Sequence, residues 1–354
     1  MYEMPVEKTK HFYTSRFMNL ADYRLEKVGI ESQKDAERWN EIVEKSEQGT
    51  IFSRLNYLAG IDQRAGLWYC YKNKEFKAAV AIMEDNNGKT TGLHEFVIYN
   101  GIMFIPQEKN QNRAQIMSEQ FQCTCFIVEA LSKKYDQIRL SMPPFFTDIR
   151  PFLWHNYGKK GPHYLSEVLY TSFVNIKGFD DGLDNEEIPL YTQASTSRRQ
   201  EIRYAQREGV YTKEEFDSAI FLEFYERTMW RQQISCMPNY LNKLFNLIVH
   251  LGRERLARMF ISYTAKGEPG SAAIFCIDSK RAYYLFGANN PELRNSHTGT
   301  AVLWHAFRYL NQNGVQEVDL EGINSPQRGY FKLSFGGNII PYYHLALDNR
   351  IEEN

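Results

Sequence analysis

Two stretches of the chain repeat the same pattern of apolar and polar positions. Residues 66–84, GLWYCYKNKEFKAAVAIME, and residues 258–278, RMFISYTAKGEPGSAAIFCID, each contain two β-patterned runs joined by a short polar turn. In both, an Ala-Ala pair precedes β-branched or aromatic residues in the second run, which suits tight packing under a helix. The pattern therefore predicts two similar hairpins, one in each half of the chain.

The elements that follow each hairpin also occur in the same order. A third β-like run comes first, at 94–105 or at 281–288, and a polar loop, a helix and a short strand follow it. In the first half the predicted helix is 112–134 and the strand after it is 137–142; in the second half they are 298–313 and 315–321. Two unrelated α+β domains would look alike at this level, but the matched order favours duplication of one unit. We predict an α+β (α/β) fold in which each half has a mixed, mostly antiparallel sheet flanked by helices.

An acidic segment divides the 354 residues, a length that favours two domains. Residues 178–189, GFDDGLDNEEIP, contain glycine and few large aliphatic residues, a composition typical of linkers. We therefore predict an N-terminal domain at 1–177, a linker at 178–189 and a C-terminal domain at 190–354.

The charge balance argues against a dedicated polyanion-binding protein. There are 42 Lys and Arg residues against 43 Asp and Glu residues, whereas nonspecific binding to nucleic acid depends on cationic contacts with phosphates. We therefore expect no DNA partner. The longest apolar runs, such as 78–83, are far shorter than the about 20 residues that cross a bilayer. Because the N-terminal segment also lacks the apolar centre of a secretory signal, we expect a cytoplasmic protein without a transmembrane segment.

Several common site motifs are missing from the sequence. The five cysteines lie mostly in apolar runs, which is typical of reduced, buried thiols. Cys123 and Cys125 form a C-x-C pair, but no second pair or clustered histidine completes a zinc site, so we predict no metal site. There is no G-x-G-x-x-G after a strand, no Walker A motif and no recognisable Ser-His-Asp or Cys-His arrangement. Dinucleotide-dependent and nucleotide-hydrolysing functions therefore lack their main sequence support.

A short helix predicted at 195–210, STSRRQEIRYAQREGV, carries four arginines. They are Arg198, Arg199, Arg203 and Arg207. Only Glu201 and Glu208 oppose them, so the arginines can form a cationic ridge that grips phosphates bidentately. The alternative is a solvated helix face with ion pairs.

Two acidic residues alternate in the strand predicted at 315–321. Asp319 and Glu321 are expected to share one face, while Val318 and Leu320 point into the core. Paired carboxylates at the end of a strand, just before a glycine, can hold an amine or accept its proton. The two residues are therefore candidate catalytic groups.

Residues 330–335, YFKLSF, are predicted to form a short helix closed by two glycines. Phe331 and Phe335 are four residues apart, which is typical of packing anchors on one helix face. Lys332 beside them is then either solvated or a fixed cation beside a cleft.

The loop at 287–301, GANNPELRNSHTGTA, lies between a predicted strand and a predicted helix. A helix N-terminus attracts anions through its unpaired backbone N–H groups and its dipole. A phosphate or pyrophosphate site is therefore a candidate at 294–301, with Arg294, Thr298 and Gly299 as its residues. An ordinary capped helix start is the alternative.

An aromatic segment with two prolines at 143–157, PPFFTDIRPFLWHNY, contributes Asp148, Arg150 and Trp154 as candidate binding residues. Proline makes the segment irregular, and irregular segments held by a packed scaffold often line sites. An aromatic plug between domains is an equal alternative.

Taken together, these segments resemble a known family. SRRQEIRYAQREGV, SAAIFCID, YYLFGANN, TGTAVLWHAF and GVQEVDLEGINSPQRGYFKLSFGG are similar, in this order, to the C-terminal domain of the FemABX-like acyltransferases of the GNAT superfamily. The F-K-x-x-F-G segment at Phe331 to Gly336 is the most specific mark. The D-x-R-P-F-x-W segment at 148–154 resembles a feature of the N-terminal domain in related proteins.

The resemblance implies two tandem GNAT-like domains and an N-acyltransferase or aminoacyltransferase that forms an amide on an amine acceptor. Acyl-CoA or aminoacyl-tRNA is then the co-substrate, with no tightly bound cofactor, and the acceptor is a small molecule or a cell-wall precursor. The N-terminal segment 49–63, GTIFSRLNYLAGIDQ, lacks a lysine that peptidoglycan-directed members of the family carry in this region. A strict peptidoglycan-precursor aminoacyltransferase, or a noncatalytic binding protein for a phosphorylated glycan or lipid precursor, is therefore the alternative.

The resemblance also implies residue roles. Lys332 matches the family lysine associated with substrate phosphate binding and catalysis, Arg199 an arginine that contacts diphosphate, and Tyr284 a strand tyrosine near the cleft. From side-chain chemistry we add Arg203 as an anion anchor and Tyr330 as an alternative to Tyr284 for returning a proton. Asp319 or Glu321 would accept or orient the amine.

Overall fold

The computed structural model describes residues 20–106, 110–231 and 237–350. Within this part the chain divides into two units. The first comprises 20–58, 63–169 and 342–350, and the second comprises 59–62 and 170–341. No helix among the described residues is long and apolar enough to span a membrane.

The first unit is built on an antiparallel sheet with helices. Its elements are β1 Tyr23–Lys27, α1 Gln33–Lys45, α2 Leu55–Leu58, β2 Ala65–Lys72, β3 Glu75–Glu84, β4 Thr91–Gly92, β5 Gly101–Phe104, α3 Arg113–Lys134, β6 Gln137–Met142, α4 Arg150–Leu153 and the start of β7 Leu165–Asn175, with a 3-10 helix at Ile51–Ser53. The strand order is β1-β2-β3-β4, and β5 also pairs with β3. The first predicted hairpin, β2–β3, and the predicted helix α3 are confirmed.

The second unit contains the longer sheet. Its elements are α5 Pro189–Gln193, α6 Thr196–Arg207, β8 Tyr211–Glu214, α7 Ser218–Arg231, α8 Pro238–Arg253, β9 Ala257–Tyr263, β10 Pro269–Ile277, β11 Ala282–Asn289, α9 Thr298–Gln312, β12 Glu317–Asp319, α10 Pro326–Leu333 and the start of β13 Asn338–Asp348, with 3-10 helices at Asn185–Glu187 and Pro291–Leu293. The strand order is β7-β12-β11-β10-β9-β8. All of these pairs are antiparallel except β11 with β12, which is parallel.

Ala273, the second alanine of the Ala-Ala pair in the second hairpin, packs in one core cluster with residues of helix α9. Ala272 and Ala273 on β10 are almost completely buried, and α9 packs on this strand with Leu303 and Phe307, which are fully buried. Because alanine leaves little more than backbone on the sheet surface, the helix can approach closely enough to bury these larger side chains. Burying such a side chain contributes about 1.5–3 kcal/mol, so this contact is a main source of stability in the second unit.

The predicted linker at 178–189 lies inside the second unit. Phe179 and Ile188 are fully buried in its core, and the Phe179 ring lies 4.4 Å from the ring of Trp304. The average composition of this segment is acidic, but Phe179 and Ile188 reach the core while Leu183 and the carboxylates stay on the surface. The structure instead places the division near residue 170, where β7 passes from one unit to the other.

The last strand also departs from the predicted division. Residues 342–348 of β13 belong to the first unit and pair antiparallel with β6, from Tyr343 opposite Met142 to Asp348 opposite Gln137. The C-terminal part of the chain therefore completes the sheet of the first half. A pairing across some 200 residues leaves no mark in the local hydrophobic pattern.

Candidate functional site

The sheet of the second unit opens between β11 and β12. These parallel strands pair at only two positions, Ala282 with Val318 and Tyr283 with Asp319, whereas β11 continues to Asn289. A bulge in β11 leaves one residue without a partner on β10, because the register shifts between Phe286 and Tyr284. Such bulges re-aim side chains and often lie beside sites. The carboxyl ends of β11 and β12 therefore leave a gap that side chains can line.

The chain turns sharply where β12 ends. Glu321 has a φ of 49° and Gly322 a φ of 42°, so both residues adopt left-handed backbone conformations. A left-handed glutamate is uncommon and costs about 1–2 kcal/mol, so the surrounding contacts must hold it there. The predicted strand at 315–321 is consequently shorter, at Glu317–Asp319.

Both candidate carboxylates are buried beside this turn. Oδ1 of Asp319 accepts hydrogen bonds from the Thr171 hydroxyl and from the Glu321 backbone N–H, the latter at 2.8 Å. Oε1 of Glu321 is buried and has no hydrogen-bond partner among the described residues. The expected difference in exposure from Val318 and Leu320 is not observed, since all four residues are buried. β12 lies between β7 and β11 in the sheet, so both of its edges are paired.

The burial of Glu321 changes its acidity. Burial, and to a lesser degree repulsion from the carboxylate of Asp319, raises the pKa of Glu321 well above its ordinary value, while the ammonium of Lys332 opposes the rise. A carboxyl group in this state is a stronger base when it is ionised than a surface glutamate. Glu321 is thus suited to accept a proton from a group that enters the gap.

Lys332 reaches the same turn from helix α10. Its Nζ donates hydrogen bonds to the backbone carbonyls of Leu320 at 2.5 Å and Glu321 at 3.0 Å, and lies 5.0 Å from the centre of the Tyr284 ring. Burial lowers the pKa of Lys332 to about 8, although the carboxylates of Glu321 and Asp319 act in the opposite direction. The structure therefore places Lys332 as a fixed cation at the gap, and two of its three N–H groups are used by the turn.

The two candidate tyrosines differ in their surroundings. The Tyr284 ring stacks on Phe275 with centroids 5.2 Å apart, and burial raises the pKa of its hydroxyl, so Tyr284 stays protonated at neutral pH. Tyr330 is 74% exposed on the outer side of α10. The structure brings Tyr284, Lys332 and the two carboxylates together and leaves Tyr330 outside this group.

The glycine after α10 fixes where the helix ends. Gly336 has a φ of 84°, and a Cβ atom there would lie 2.6 Å from the backbone oxygen of Gln193. Only glycine combines this backbone conformation with such a close approach. The F-K-x-x-F-G segment therefore ends in a residue that seats α10 against α5.

We expect Gly336→Ala to lower the free energy of unfolding by about 2–4 kcal/mol, since the left-handed strain and the clash add. Gly314→Ala is the matched control: its φ is 87°, but no atom lies within 4 Å of the added Cβ. The control should lose only about 1–2 kcal/mol from strain. Urea unfolding of both variants measures the difference, and equal losses would show that the Gln193 carbonyl moves aside freely.

The arginines of α6 do not form one ridge. Arg198 is buried, Arg199 is half-buried with its guanidinium 6.0 Å from the centre of the Tyr191 ring, and Arg203 is exposed. Nε of Arg199 is buried without a hydrogen-bond partner among the described residues. The interpretation of four equivalent surface arginines is therefore wrong, because the helix turns one of them into the core.

The spacing of residues along α6 indicates that Arg198 is buried. Arg198 lies four residues before Ile202 and seven before Ala205, the two apolar residues of the helix stripe, and all three are buried on one face. The sequence alone places Arg198 in the cationic ridge and gives it no separate role. Its contacts show that it belongs beside the F-K-x-x-F-G segment: the guanidinium carbon lies 4.4 Å from the ring centre of Phe331 and 4.6 Å from that of Phe335.

The start of α9 combines both predicted readings. Oγ1 of Thr298 lies 2.9 Å from Oγ of Ser271, which ties the helix to β10, as in an ordinary helix start. No side chain caps the helix, and its first bonds run from the N–H groups of Thr300 and Ala301 to the carbonyl of His297. The N–H groups of Thr298 and Gly299 precede these bonds and have no acceptor within the helix, so an anion can still bind there. Arg294 is exposed outside this first turn.

The candidates of the first unit form a cluster of their own. Arg150 donates to both carboxylate oxygens of Asp148, at 2.8 and 2.6 Å, and its guanidinium lies 5.6 Å from the ring centre of Trp154 and 5.0 Å from that of Phe121. The Arg150 guanidinium lowers the pKa of Asp148 below its ordinary value. These groups satisfy one another, and their predicted binding role stays a prediction.

Part of the second unit is similar to a known domain family. Residues 193–332 match the family model of the acetyltransferase (GNAT) domain, whose matched range ends at Lys332. No curated protein matches the sequence.

Similar solved structures cover almost the whole chain. FemX has 13% sequence identity and a TM-score of 0.61 over 90% of this chain and 96% of its own. A tandem GNAT protein from the clavulanic acid biosynthesis pathway has 9% identity and a TM-score of 0.50 over 94% and 100%. A conserved protein of unknown function from Bacteroides thetaiotaomicron has 9% identity and a TM-score of 0.55 over 92% and 99%. Residues 193–332 are therefore similar to an acetyltransferase (GNAT) domain, and the fold of the whole chain is similar to the folds of FemX and of the tandem GNAT protein.

Proposed function

We propose that the second unit is an N-acyltransferase that moves an acyl or aminoacyl group from acyl-CoA or aminoacyl-tRNA to an amine. The product is an amide of a small molecule or of a cell-wall precursor. One observation carries the proposal: beside the point where β11 and β12 separate, Nζ of Lys332 donates to the backbone carbonyl of Glu321, and the buried Oε1 of the same glutamate has no hydrogen-bond partner among the described residues. The match of residues 193–332 to an acetyltransferase domain supports the same reaction class.

Glu321 acts as the proton acceptor in this reaction. The amine nitrogen attacks the carbonyl carbon of the donor, a C–N bond forms, and the C–S bond of a thioester or the C–O bond of an ester breaks. The proton that the amine loses passes to Glu321 and then to the leaving sulfur or oxygen. The raised pKa of Glu321 suits this role, because proton transfer is most effective when the pKa of the base lies near the working pH.

Lys332 stabilises the negative charge that develops on the carbonyl oxygen. A fixed donor in a site with little water is worth more than the same donor in solvent, since it needs no reorganisation during the reaction. The two carbonyl contacts of Lys332 hold its Nζ in place and leave one N–H group for the substrate. Asp319, whose Oδ1 binds the Glu321 backbone N–H, orients the turn and takes no proton itself.

The phosphates of the donor bind at the start of α9. CoA and tRNA both present phosphates, and the backbone N–H groups of Thr298 and Gly299 are suited to receive one. Arg199 is the second anion contact, as the resemblance implies. Arg203 and Arg294 are exposed and add only long-range attraction, which salt screens.

The donor class can be tested directly. The protein is incubated with acetyl-CoA or with a mixture of aminoacyl-tRNAs, together with a panel of small amines and a peptidoglycan precursor, and products are identified by mass spectrometry. The proposal expects an amide with one donor class. If calorimetry shows that a donor or the precursor binds but no amide forms with any acceptor, the chain is a binding protein and the proposed reaction is wrong.

A further inference from the structure

Arg198 joins three helices of the second unit through one side chain. It lies in the first turn of α6, its Nε donates to Oγ of Ser334 at the end of α10 at 2.9 Å, and its Nη1 donates to Oγ1 of Thr300 in the first turn of α9. The two ends that it connects are the helix that carries Lys332 and the helix start that we assign to donor phosphates.

The Arg198 guanidinium forms no ion pair among the described residues, although the Glu201 carboxylate attracts it from a greater distance. Only 8% of Arg198 is exposed, and among the described residues no acidic side chain lies within ion-pair distance of it. Burial lowers the pKa of Arg198 to about 10, which still leaves the group charged at neutral pH. A buried charge is costly unless well-placed groups surround it, and here the rings of Phe331 and Phe335 and two hydroxyl groups do so.

The contacts of Arg198 fix the end of α10. Ser334 receives the Arg198 bond, its own Oγ donates to the carbonyl of Phe331 at 2.6 Å, and its carbonyl accepts the N–H of Ser195 at 2.9 Å. Lys332 lies between Phe331 and Ser334 in the sequence. The backbone of Lys332 is therefore held on the α6 side while its Nζ extends to the turn after β12.

We propose that Arg198 is a positioning residue for Lys332: by binding Ser334, Thr300 and the two phenylalanine rings, it keeps Nζ of Lys332 in the gap between β11 and β12. This placement is independent of the reaction, whereas its effect on catalysis rests on the proposed function. Loss of Arg198 lets α10 shift and brings the Lys332 ammonium into contact with water.

The position of Lys332 can be read from its own titration. The charged and titratable groups that face it are Asp319 at the end of β12, Glu321 in the turn that follows, Arg328 on α10 and Tyr284 on β11. All four stay unchanged in variants of Arg198. Protein labelled with ¹³C at lysine Cε is titrated by NMR, and the Lys332 signal is assigned by its absence in Lys332→Arg. In the unchanged protein we expect this signal to titrate near pH 8.

Arg198→Lys and Arg198→Met are the test variants, and Arg253→Met, whose side chain is 74% exposed on α8, is the control. Arg198→Lys keeps the positive charge but cannot hold Ser334 and Thr300 with the fork of a guanidinium. A rise in the Lys332 pKa in this variant therefore does not come from a lost charge. We expect both Arg198 variants to raise that pKa by at least one unit, toward the about 10.4 of a solvated lysine. The control should leave it in place.

Two milder variants cover the case in which the Arg198 variants do not fold. Ser334→Ala and Thr300→Val each remove one acceptor of Arg198, and each should raise the Lys332 pKa by a smaller amount. If folded variants of either kind lower the melting temperature but leave the Lys332 pKa unchanged, Arg198 is only a stabilising residue and the proposal is wrong.

Kinetics separate this inference from the proposed function. If the protein forms an amide, Arg198→Lys should lower kcat at least tenfold and change KM for the donor by less than threefold. A shifted pKa in a protein that forms no amide with any donor leaves the placement standing and overturns the function. If the Arg198 variants leave the Lys332 pKa unshifted and form amide at the full rate, the function stands and the positioning role of Arg198 is overturned.

Discussion

Replacing Lys332 with alanine should lower the rate of amide formation by about 10²–10³-fold, the usual loss when one fixed donor to a developing oxyanion is removed. The variant also leaves the carbonyls of Leu320 and Glu321 without their Nζ donor. The rate of the unchanged enzyme should fall as the pH rises through about 8, where Lys332 loses its proton. Initial rates of thiol or tRNA release, measured across pH, check both expectations.

Lys266→Ala is the control for this variant. Lys266 lies in the exposed turn between β9 and β10, so its loss should leave the rate and its pH dependence unchanged. Circular dichroism and thermal melting establish that Lys332→Ala is folded. A folded Lys332→Ala protein with the full rate would remove Lys332 from the reaction.

Replacing Glu321 with glutamine should lower kcat by about 10²–10⁴-fold, because a positioned general base contributes a factor of this size. The amide side chain cannot take a proton from the amine, so the rise of kcat/KM with pH that ionisation of Glu321 produces should disappear. The control is Glu268→Gln. Glu268 is exposed in the turn before β10, so this variant should keep the rate and the pH dependence of kcat/KM.

The stability of the Glu321→Gln variant gives an independent check with a definite sign. The folded-state pKa of Glu321 is raised, so above the unfolded-state value of about 4.3 the unfolded protein releases this proton more readily. The stability of the unchanged protein therefore falls as the pH rises from that value toward the raised folded pKa. Glutamine does not ionise, so we expect the variant to be more stable at pH 8 and to lose this advantage near pH 4, as measured by urea unfolding. A variant that is less stable at pH 8 would contradict a destabilising buried carboxyl group.

The regular elements of the fold were predictable because they depend on local patterns. Periods of two and of 3.6 residues located the hairpins 66–84 and 258–278 and the helices 112–134 and 298–313. The boundary between the two units was not predictable from local patterns, because it depends on the pairing of β13 with β6 and on the burial of Phe179 and Ile188. These contacts are long-range, and a local average of composition does not record them.

The candidate site was predictable in part for a similar reason. Lys332 was found through a segment whose spacing is set by helix geometry and by the glycine at 336. The left-handed backbone of Glu321 and the burial of its carboxyl group depend on neighbouring strands that the sequence order does not reveal. Tyr330 was misplaced because adjacent residues of a short helix point in different directions, and only the packing decides which one faces the sheet.

The acyl group itself can be followed from the donor to the amine. A donor with a ¹³C-labelled acyl group, offered as the CoA thioester or as the aminoacyl-tRNA, is incubated with the amine panel, and mass spectrometry locates the label. We expect labelled amide with the unchanged protein and with Lys266→Ala, and a loss of at least 10²-fold with the double variant of Lys332→Ala and Glu321→Gln. Equal labelling by a folded double variant, or no labelled amide with either donor, would contradict the proposed reaction.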